Sequence, residues 1–299
     1  MNMSVTNTLN WYAKALRPAS VSIKPKALGM PLDETVPTYW FDNNPFMTQL
    51  LTAFSAVFPL GESFMIDSVR MFRDDIKTSH PDLYKECGAF IGQEAHHSKE
   101  HQAINDFMVE RGLPVSKLTY AFEWVIPLLH GLPEKDQMAL TGAAEHLTAL
   151  FGHLVLSNPE VIAQVDESMR PIWVWHAIEE IEHKAVTFDL FEAVDGNYVR
   201  RVYGYMLALT LLLGLSVYGT GVFMLADKEN FSPQHTLKGL WWMFGAGKKA
   251  GYLRKSVPIL LDYFKFDYHP WKVDDSDLIK KWRPELDRMM SEMKVISTK

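Results

Sequence analysis

Two short motifs in the sequence pair a glutamate with a histidine three residues later: Glu94 with His97, and Glu180 with His183. Residues three or four apart on an α-helix project from one face, so each pair can bind a single metal ion. One such motif alone arises often by chance, and its usual meaning is a buried hydrogen bond. Two copies in one chain predict a site for two metal ions.

Two isolated glutamates, Glu62 and Glu145, complete the acidic part of the pattern. Each lies in an apolar stretch, where a carboxylate without a partner is costly to bury. The order along the chain is Glu, Glu-x-x-His, Glu, Glu-x-x-His, which matches the ligands of ferritin-like bundles that hold two metal ions. The predicted catalytic residues are the four glutamates: Glu62, Glu94, Glu145 and Glu180.

His176 adds a third imidazole, because His176, Glu180 and His183 lie at positions 0, 4 and 7 of one helical stripe. Glu179 is an alternative ligand at i, i+4 spacing from His183. We prefer Glu180 because it lies nearer the centre of the stripe. The predicted metal ligands are therefore Glu62, Glu94, His97, Glu145, His176, Glu180 and His183.

The remaining polar residues of these segments receive different interpretations. His101 follows His97 by one helical turn, and we expect it to support the ligands without binding metal itself. His153 is a further candidate for this supporting role. Three residues are expected to point away from the site: His96, His146 and Glu182.

The types of ligand restrict the metal. The only cysteine is Cys87, which excludes zinc sites built from cysteine and an intramolecular disulfide framework. Oxygen-rich ligation with imidazoles suits iron or manganese better than copper or structural zinc, although affinity order alone does not exclude zinc. We therefore expect two iron ions as cofactors, with manganese or zinc as alternatives, and dioxygen as a co-substrate that two ferrous ions can reduce.

The seven predicted ligands resemble those of the di-iron arylamine N-oxygenases, such as p-aminobenzoate N-oxygenase. The run His-x-x-x-Glu-x-x-His at 176–183 is the most specific part of this likeness. The chain as a whole, including an apolar segment described below, also resembles a bacterial family labelled predicted metal-dependent hydrolases. The first resemblance implies oxygen chemistry on two irons, and the second implies hydrolysis.

We expect a di-iron, O2-dependent oxygenase or oxidase that acts on an apolar amine or a lipid-like substrate. The sequence contains no flavin, haem or iron–sulfur motif, so an external electron donor must supply the reducing equivalents. Two alternatives remain open. In the first, two metal ions catalyse hydrolysis of an ester or phosphate. In the second, the protein is a non-catalytic, iron-binding ferritin-like protein.

Apolar residues at helical spacing predict an all-α fold, because no alternating run suggests a strand. Four principal helices carry the ligands, and Pro59 and Gly61 should kink the first of them. These helices are predicted at 45–75, 80–111, 134–156 and 171–195, with a shorter helix at 122–129. The predicted organisation is an irregular arm (1–44), a ferritin-like four-helix bundle with the two metals (45–199) and a helical C-terminal extension (200–299).

The extension contains 25 consecutive residues without a charged side chain, at 202–226. That length can span a bilayer. Three interpretations remain open: a helix that spans the membrane, an anchor that lies in its plane, and a helix buried in the protein or in a homodimer interface. The segment favours a small apolar substrate over a soluble arylamine.

Composition restricts the partners and the location. The formal net charge of −6 provides no electrostatic argument for nucleic-acid binding. The first 26 residues lack the apolar core of a secretory signal. We therefore expect a cytoplasmic protein, which two of the interpretations of 202–226 attach to the inner face of the cytoplasmic membrane.

Overall fold

The computed structural model describes residues 17–230 and 232–297 of the 299-residue chain. Helices make up most of the described residues, which contain no β-strand beyond one isolated bridge between Phe41 and Val165. The all-α prediction is confirmed, whereas the ferritin-like four-helix bundle stays a prediction. Residues 17–44 form turns and extended segments. The rest of the predicted arm, 1–16, lies outside the described residues.

Twelve α-helices follow in the described part of the chain. They are α1 Pro45–Ala56, α2 Phe58–Arg73, α3 Pro81–Glu110, α4 Val115–His130, α5 Glu134–Ser157, α6 Pro159–Ile162, α7 Arg170–His183, α8 Val186–Val194, α9 Tyr198–Ala226, α10 Pro233–Phe244, α11 Tyr252–Asp262 and α12 Ser276–Ser297. The predicted division of the chain at 199/200 stays a prediction, since α9 packs directly on α5 and α1.

The ends of the long helices follow from local chemistry. Proline occupies the first position of α3, where its missing N–H group leaves no hydrogen bond unmade. Gly112, just past the end of α3, has a φ of 86°, a backbone conformation that favours glycine. Helix α5 carries Glu134 and Asp136 in its first turn, where negative charge stabilises a helix.

Two of the predicted helices are divided in the structure. The segment 45–75 forms α1 and α2, separated at Val57, because Pro59 has no N–H group with which to continue the hydrogen bonds of α1. The segment 171–195 forms α7 and α8, separated at Lys184 and Ala185. This second break occurs without proline or glycine, where the Lys184 side chain reaches Asp275.

Helices α2, α3, α5 and α7 surround a common centre. Helix α2 packs on α3 and α5, and α7 packs on α5 and α3. Helix α12 lies against α7, and α10 and α11 pack on each other and on α1 and α5 respectively. Helices α2, α3, α5 and α7 carry every predicted metal ligand.

Helix α9 lies along the outside of this group. Its inner side packs closely, since a Cβ atom at Gly204 would lie 2.6 Å from the backbone of Ala139 in α5, and Phe223 is fully buried. Two segments, 45–76 and α9, are long and apolar enough to cross a membrane. In their most apolar windows, 61% of the first is buried but only 22% of α9. Segment 45–76 is thus mostly core, and α9 is mostly surface.

Candidate metal centre

The structure brings all seven predicted ligands into one buried cluster between α2, α3, α5 and α7. None of the seven is more than 4% exposed. Helix α2 provides one glutamate, α3 one Glu-x-x-His motif, α5 one glutamate, and α7 the remaining three ligands. The residues are Glu62, Glu94, His97, Glu145, His176, Glu180 and His183.

The cluster contains overlapping sets of ligands. In one set, Nε2 of His183 lies 3.1 Å from Oε1 of Glu94 and 3.1 Å from Oε2 of Glu145. In another, Nε2 of His176 lies 2.9 Å from Oε1 of Glu180, whose Oε1 is also 3.5 Å from Nδ1 of His97. Within each set the ligand atoms are no more than 4.8 Å apart.

Glu94 belongs to a third set as well, together with Glu62 and His97. It therefore links this set to that of His183, as His97 links it to that of His176 and Glu180.

Several ligand atoms of the cluster are buried and form no hydrogen bond of suitable geometry within the described residues, although Nε2 of His183 lies 3.1 Å from two carboxylate oxygens. They include both carboxylate oxygens of Glu94, both of Glu145, both ring nitrogens of His97 and Nε2 of His183. A buried polar atom without a partner costs about 1–3 kcal/mol, and more when it is charged. Metal coordination would remove that cost, so this donor set fits bound cations.

Electrostatic interactions inside the cluster shift the pKa values in opposite directions. Burial, reinforced by the charge of Glu94, raises the pKa of Glu62 well above its ordinary value, and burial raises that of Glu145 to about 8. Burial alone would also raise the pKa of Glu180, but His183 and His176 hold it well below its ordinary value.

The pKa values of the two histidines in the Glu-x-x-His motifs, His97 and His183, are both raised. Burial lowers their pKa, but Glu94 beside His97 and Glu145 beside His183 outweigh it and raise both pKa values well above the ordinary value. Protons therefore balance part of the negative charge in the cluster. Metal ions would displace these protons, so binding must be coupled to proton release.

His101 lies beside His176, as the sequence suggests. Its Nε2 is 2.7 Å from Nδ1 of His176, and its Nδ1 is 2.7 Å from Oγ of Ser55 in α1. This chain fixes the ring of His176 with Nε2 towards Glu180. His101 also forms a close set with Glu62 and His176, so it is an eighth residue within reach of an ion.

Gln93 is a contact that the sequence analysis missed. Its Oε1 accepts a hydrogen bond from Nδ1 of His183 at 3.0 Å, which leaves Nε2 of that ring to face the carboxylates. Its amide donates to Glu182 at 3.0 Å, and Glu182 in turn pairs with Arg283 of α12. The only signal in the sequence is an amide next to Glu94, and amides are common on helices.

Three polar residues near the cluster, Glu182, Glu179 and His153, differ in how close they lie to the ligands. Glu182 points away from the ligands as expected, towards Gln93. Glu179 lies closer than expected, with Oε2 at 3.2 Å from Nε2 of His97. His153 does not support the cluster: it contacts Asp275 at 2.8 Å, because its position on α5 faces the segment before α12.

His146 and His96 occupy different environments. His146 follows Glu145 directly and contacts the hydroxyl group of Tyr268 at 2.7 Å, outside the cluster. His96 is half-buried and belongs to none of the metal-binding sets among the described residues. Both positions agree with the expectation that these histidines point elsewhere.

An apolar cavity of about 110 Å³ adjoins the cluster. Glu62 and Glu180 lie at its polar end. Its other walls are apolar residues of α2, α4, α5 and α9, among them Phe122, Leu147 and Leu212. A substrate in this cavity would meet the cluster through an uncharged passage.

One model of a known protein family matches most of the chain. A family model described as "Predicted metal-dependent hydrolase" matches residues 24–274. The chain belongs to this family. The match of this metal-dependent hydrolase family includes all seven clustered residues and ends before α12. No curated protein and no solved structure matches the chain.

Proposed function

We propose that this chain is a dinuclear metal enzyme that hydrolyses an ester or phosphate bond in an apolar, lipid-like substrate. One observation carries the proposal: buried carboxylate and imidazole atoms converge without hydrogen-bond partners beside an apolar cavity. The family description favours hydrolysis over the oxygenase that the ligand pattern alone suggests. Two divalent ions in such a site would polarise the scissile group and acidify a bound water molecule.

Some residues of the cluster would bind the metal, and others hold the ligand side chains in position. Glu94, which belongs to two sets of ligands, would help to hold the metal. Gln93 and His101 hold His183 and His176 with their ligating nitrogens towards the carboxylates. Such fixed orientation favours catalysis because it costs no rearrangement during the reaction.

Glu62 and Glu180 are the two ligands that reach the cavity, so a bound substrate would lie beside them. Oε2 of Glu62 accepts a hydrogen bond from Ser98 at 2.9 Å, which leaves Oε1 available to a metal ion or a proton.

A second function is favoured by the ligand set itself. Four carboxylates with one imidazole from each of two Glu-x-x-His motifs, and no sulfur, are typical of the iron sites in ferritin-like carboxylate proteins. His176 adds a third imidazole to this set. With iron bound, the protein would activate dioxygen and oxidise an apolar amine or lipid, and it would need an external electron donor. Non-catalytic iron storage is the third candidate.

Metal analysis and two activity assays separate these functions. Purified protein, reconstituted separately with zinc, manganese or ferrous iron, is tested for hydrolysis of p-nitrophenyl butyrate. The ferrous protein is also exposed to oxygen in an oxygen electrode. We expect about two ions per chain, hydrolysis that needs the metal, and no oxygen uptake.

Glu94→Ala should abolish hydrolysis, and the control Glu110→Ala, an exposed glutamate of the same helix, should not. Oxygen uptake without hydrolysis would overturn the proposal in favour of the oxidase. Many irons per chain would indicate storage.

A further inference from the structure

Helix α9 exposes one continuous apolar stripe. Its exposed residues recur every three, four or seven positions, which places them on one side of the helix. They are Val199, Tyr203, Met206, Leu213 and Val217. Val217 is 70% exposed, and 202–226 contains no charged residue that would favour water. Soluble proteins seldom leave an apolar surface of this extent uncovered.

Helix α4 adds a second stripe beside the first. Tyr120, Trp124 and Leu128 follow one another at intervals of four residues and are all exposed, Trp124 by 68%. The two helices touch, because a Cβ atom at Gly219 of α9 would lie 2.5 Å from the side chain of Leu118 in α4. The stripes therefore belong to one surface, which we call the α4–α9 surface.

The next helix along the chain, α10, exposes residue types that are typical of proteins at a membrane interface. Leu237, Trp241 and Phe244 are exposed on it, and the exposed pair Lys248 and Lys249 follows. Tryptophan and lysine together are typical of the boundary between hydrocarbon and anionic headgroups. These exposed residues favour an anionic bilayer as the partner over another apolar protein surface.

The contacts of α9 fix how it meets a bilayer. Gly204, near one end, packs on Ala139 of α5, and Gly219, near the other end, packs on Ala53 of α1. A helix of 29 residues is roughly 43 Å long, and the protein covers one side of it from Arg201 to Phe223. Only the opposite side is free for lipid, so α9 lies in the plane of the membrane surface rather than across it.

The cavity beside the cluster lies directly behind this surface. Leu211, Leu212 and Leu215 of α9 line the cavity, whereas Leu213 and Val217 of the same turns face outwards. A single helix thus separates the apolar cavity from the exposed surface. Phe122 of α4 lines the cavity from the other side of the contact between the two helices.

We infer that the α4–α9 surface docks on an anionic bilayer and that the cavity binds the hydrocarbon chain of a lipid drawn from that bilayer between α4 and α9. A cavity of about 150 Å³ holds benzene in another protein, so one of about 110 Å³ takes a short stretch of hydrocarbon. The identity of this lipid as the substrate rests on the proposed function; docking and chain binding do not.

Sedimentation with vesicles of phosphatidylcholine and phosphatidylglycerol tests the docking. The metal-loaded protein should pellet with the vesicles. The double variant Leu213→Asp/Val217→Asp should bind at least about tenfold more weakly, because two apolar side chains no longer enter the lipid. The control Val109→Asp alters an exposed valine of α3 and should bind as the wild type does.

Two results would overturn the docking. One is wild-type protein that stays in the supernatant. The other is a wild-type dimer in sedimentation velocity that the double variant dissociates, which would assign the α4–α9 surface to contact between copies of the chain.

Fluorescence titration with dansyl-undecanoic acid tests the cavity. Leu215→Trp fills the cavity from α9 and should weaken binding at least about tenfold, with two metal ions still bound. Leu225→Trp is the control, because Leu225 is on the same helix, 76% exposed, and away from the cavity. Equal binding by both variants would overturn the cavity assignment.

Neither experiment requires turnover. Their outcome is therefore independent of whether the reaction is hydrolysis. Loss of vesicle binding together with intact metal-dependent hydrolysis of p-nitrophenyl butyrate would reject only this inference.

Discussion

Adjacent residues of the chain enter two different buried polar sites. Glu145 and His183 belong to the metal cluster, and the residues that follow them, His146 and Lys184, line a separate cavity of about 140 Å³. Lys184 binds Asp275 there, and we call this second arrangement the Lys184 site. Both sites include residues of helix α5 and of the end of α7, but the buried charges are compensated by different groups in each.

The Lys184 site is complete within the protein. The ammonium group of Lys184 donates to Oδ2 of Asp275 at 2.6 Å and to the carbonyl oxygen of Val273 at 2.7 Å. It also lies 4.2 Å from the ring of Trp271. The other carboxylate oxygen of Asp275 contacts His153. One positive charge meets one negative charge, and both are fully hydrogen-bonded.

The metal cluster lacks such a balance. Among the described residues, no lysine or arginine pairs with Glu62, Glu94, Glu145 or Glu180, and the bases near these carboxylates are histidines. Several of its ligand atoms have no hydrogen-bond partner. The comparison teaches that a buried site whose carboxylates have only exchangeable protons and histidines near them, with no lysine or arginine partner, is suited to a cation from outside.

Glu145→Ala should produce the largest effect, because Glu145 contributes two unpartnered oxygens to the cluster. We expect loss of bound metal in elemental analysis, with fewer than two ions remaining per chain after dialysis. Glu160→Ala, an exposed glutamate beyond the end of α5, serves as the control. Retention of both ions by the Glu145 variant would remove Glu145 from the metal ligands.

Asp275→Ala should destabilise the fold by about 3–5 kcal/mol, the usual cost of leaving a buried charge without its partner. Urea unfolding of the metal-loaded protein measures this change. The double variant Lys184→Met/Asp275→Leu should recover most of the lost stability, since no charge remains buried there. Metal content should stay at two ions, and its loss would show that the two sites are not independent.

Gln93→Leu should weaken metal binding about 10- to 100-fold, since groups that orient a ligand contribute to affinity by this amount. Competition with a chromophoric chelator measures the change. Gln102→Leu, which alters an exposed glutamine of the same helix, should leave the affinity unchanged. Wild-type affinity in the Gln93 variant would mean that the orientation of His183 does not depend on this contact.

Acid should destabilise the protein in part through His146. Burial lowers the pKa of His146 from 6.5 to about 3, so the folded protein keeps it neutral while the unfolded chain takes up a proton. The stability that the neutral ring provides is therefore complete above pH 6.5 and is lost as the pH falls from 6.5 towards 3. The loss amounts to at most about 1.4 kcal/mol per pH unit.

His146→Gln removes this titration while keeping an acceptor for Tyr268. Between pH 7 and pH 5.5 (roughly one unit below the ordinary histidine pKa), the free energy of unfolding should fall less steeply in the variant than in the wild type. Parallel pH profiles of the two proteins in urea unfolding would contradict this role.

Local spacing explains what could be predicted from the sequence. The limits of α3 follow from Pro81 and Gly112, and five of the seven clustered residues follow from intervals of three and four on helices. The other two, Glu62 and Glu145, follow from their apolar surroundings and their order along the chain. A ligand pattern depends on neighbours along one helix, which a sequence displays directly.

Contacts between distant segments could not be predicted in the same way. Gln93 of α3 contacts His183 of α7, and Ser55 of α1 contacts His101 of α3. The break before α8 has no proline or glycine to signal it. Hydropathy likewise does not distinguish the buried segment 45–76 from the exposed α9, because exposure depends on what packs against each helix.

The most direct test of the proposed dinuclear centre is anomalous X-ray diffraction from crystals of the protein loaded with manganese or iron. We predict two anomalous peaks between α2, α3, α5 and α7, about 3.5–4 Å apart, with Glu94 between them. A cluster without a peak, with ions bound only at the surface or at the Lys184 site, would contradict the account.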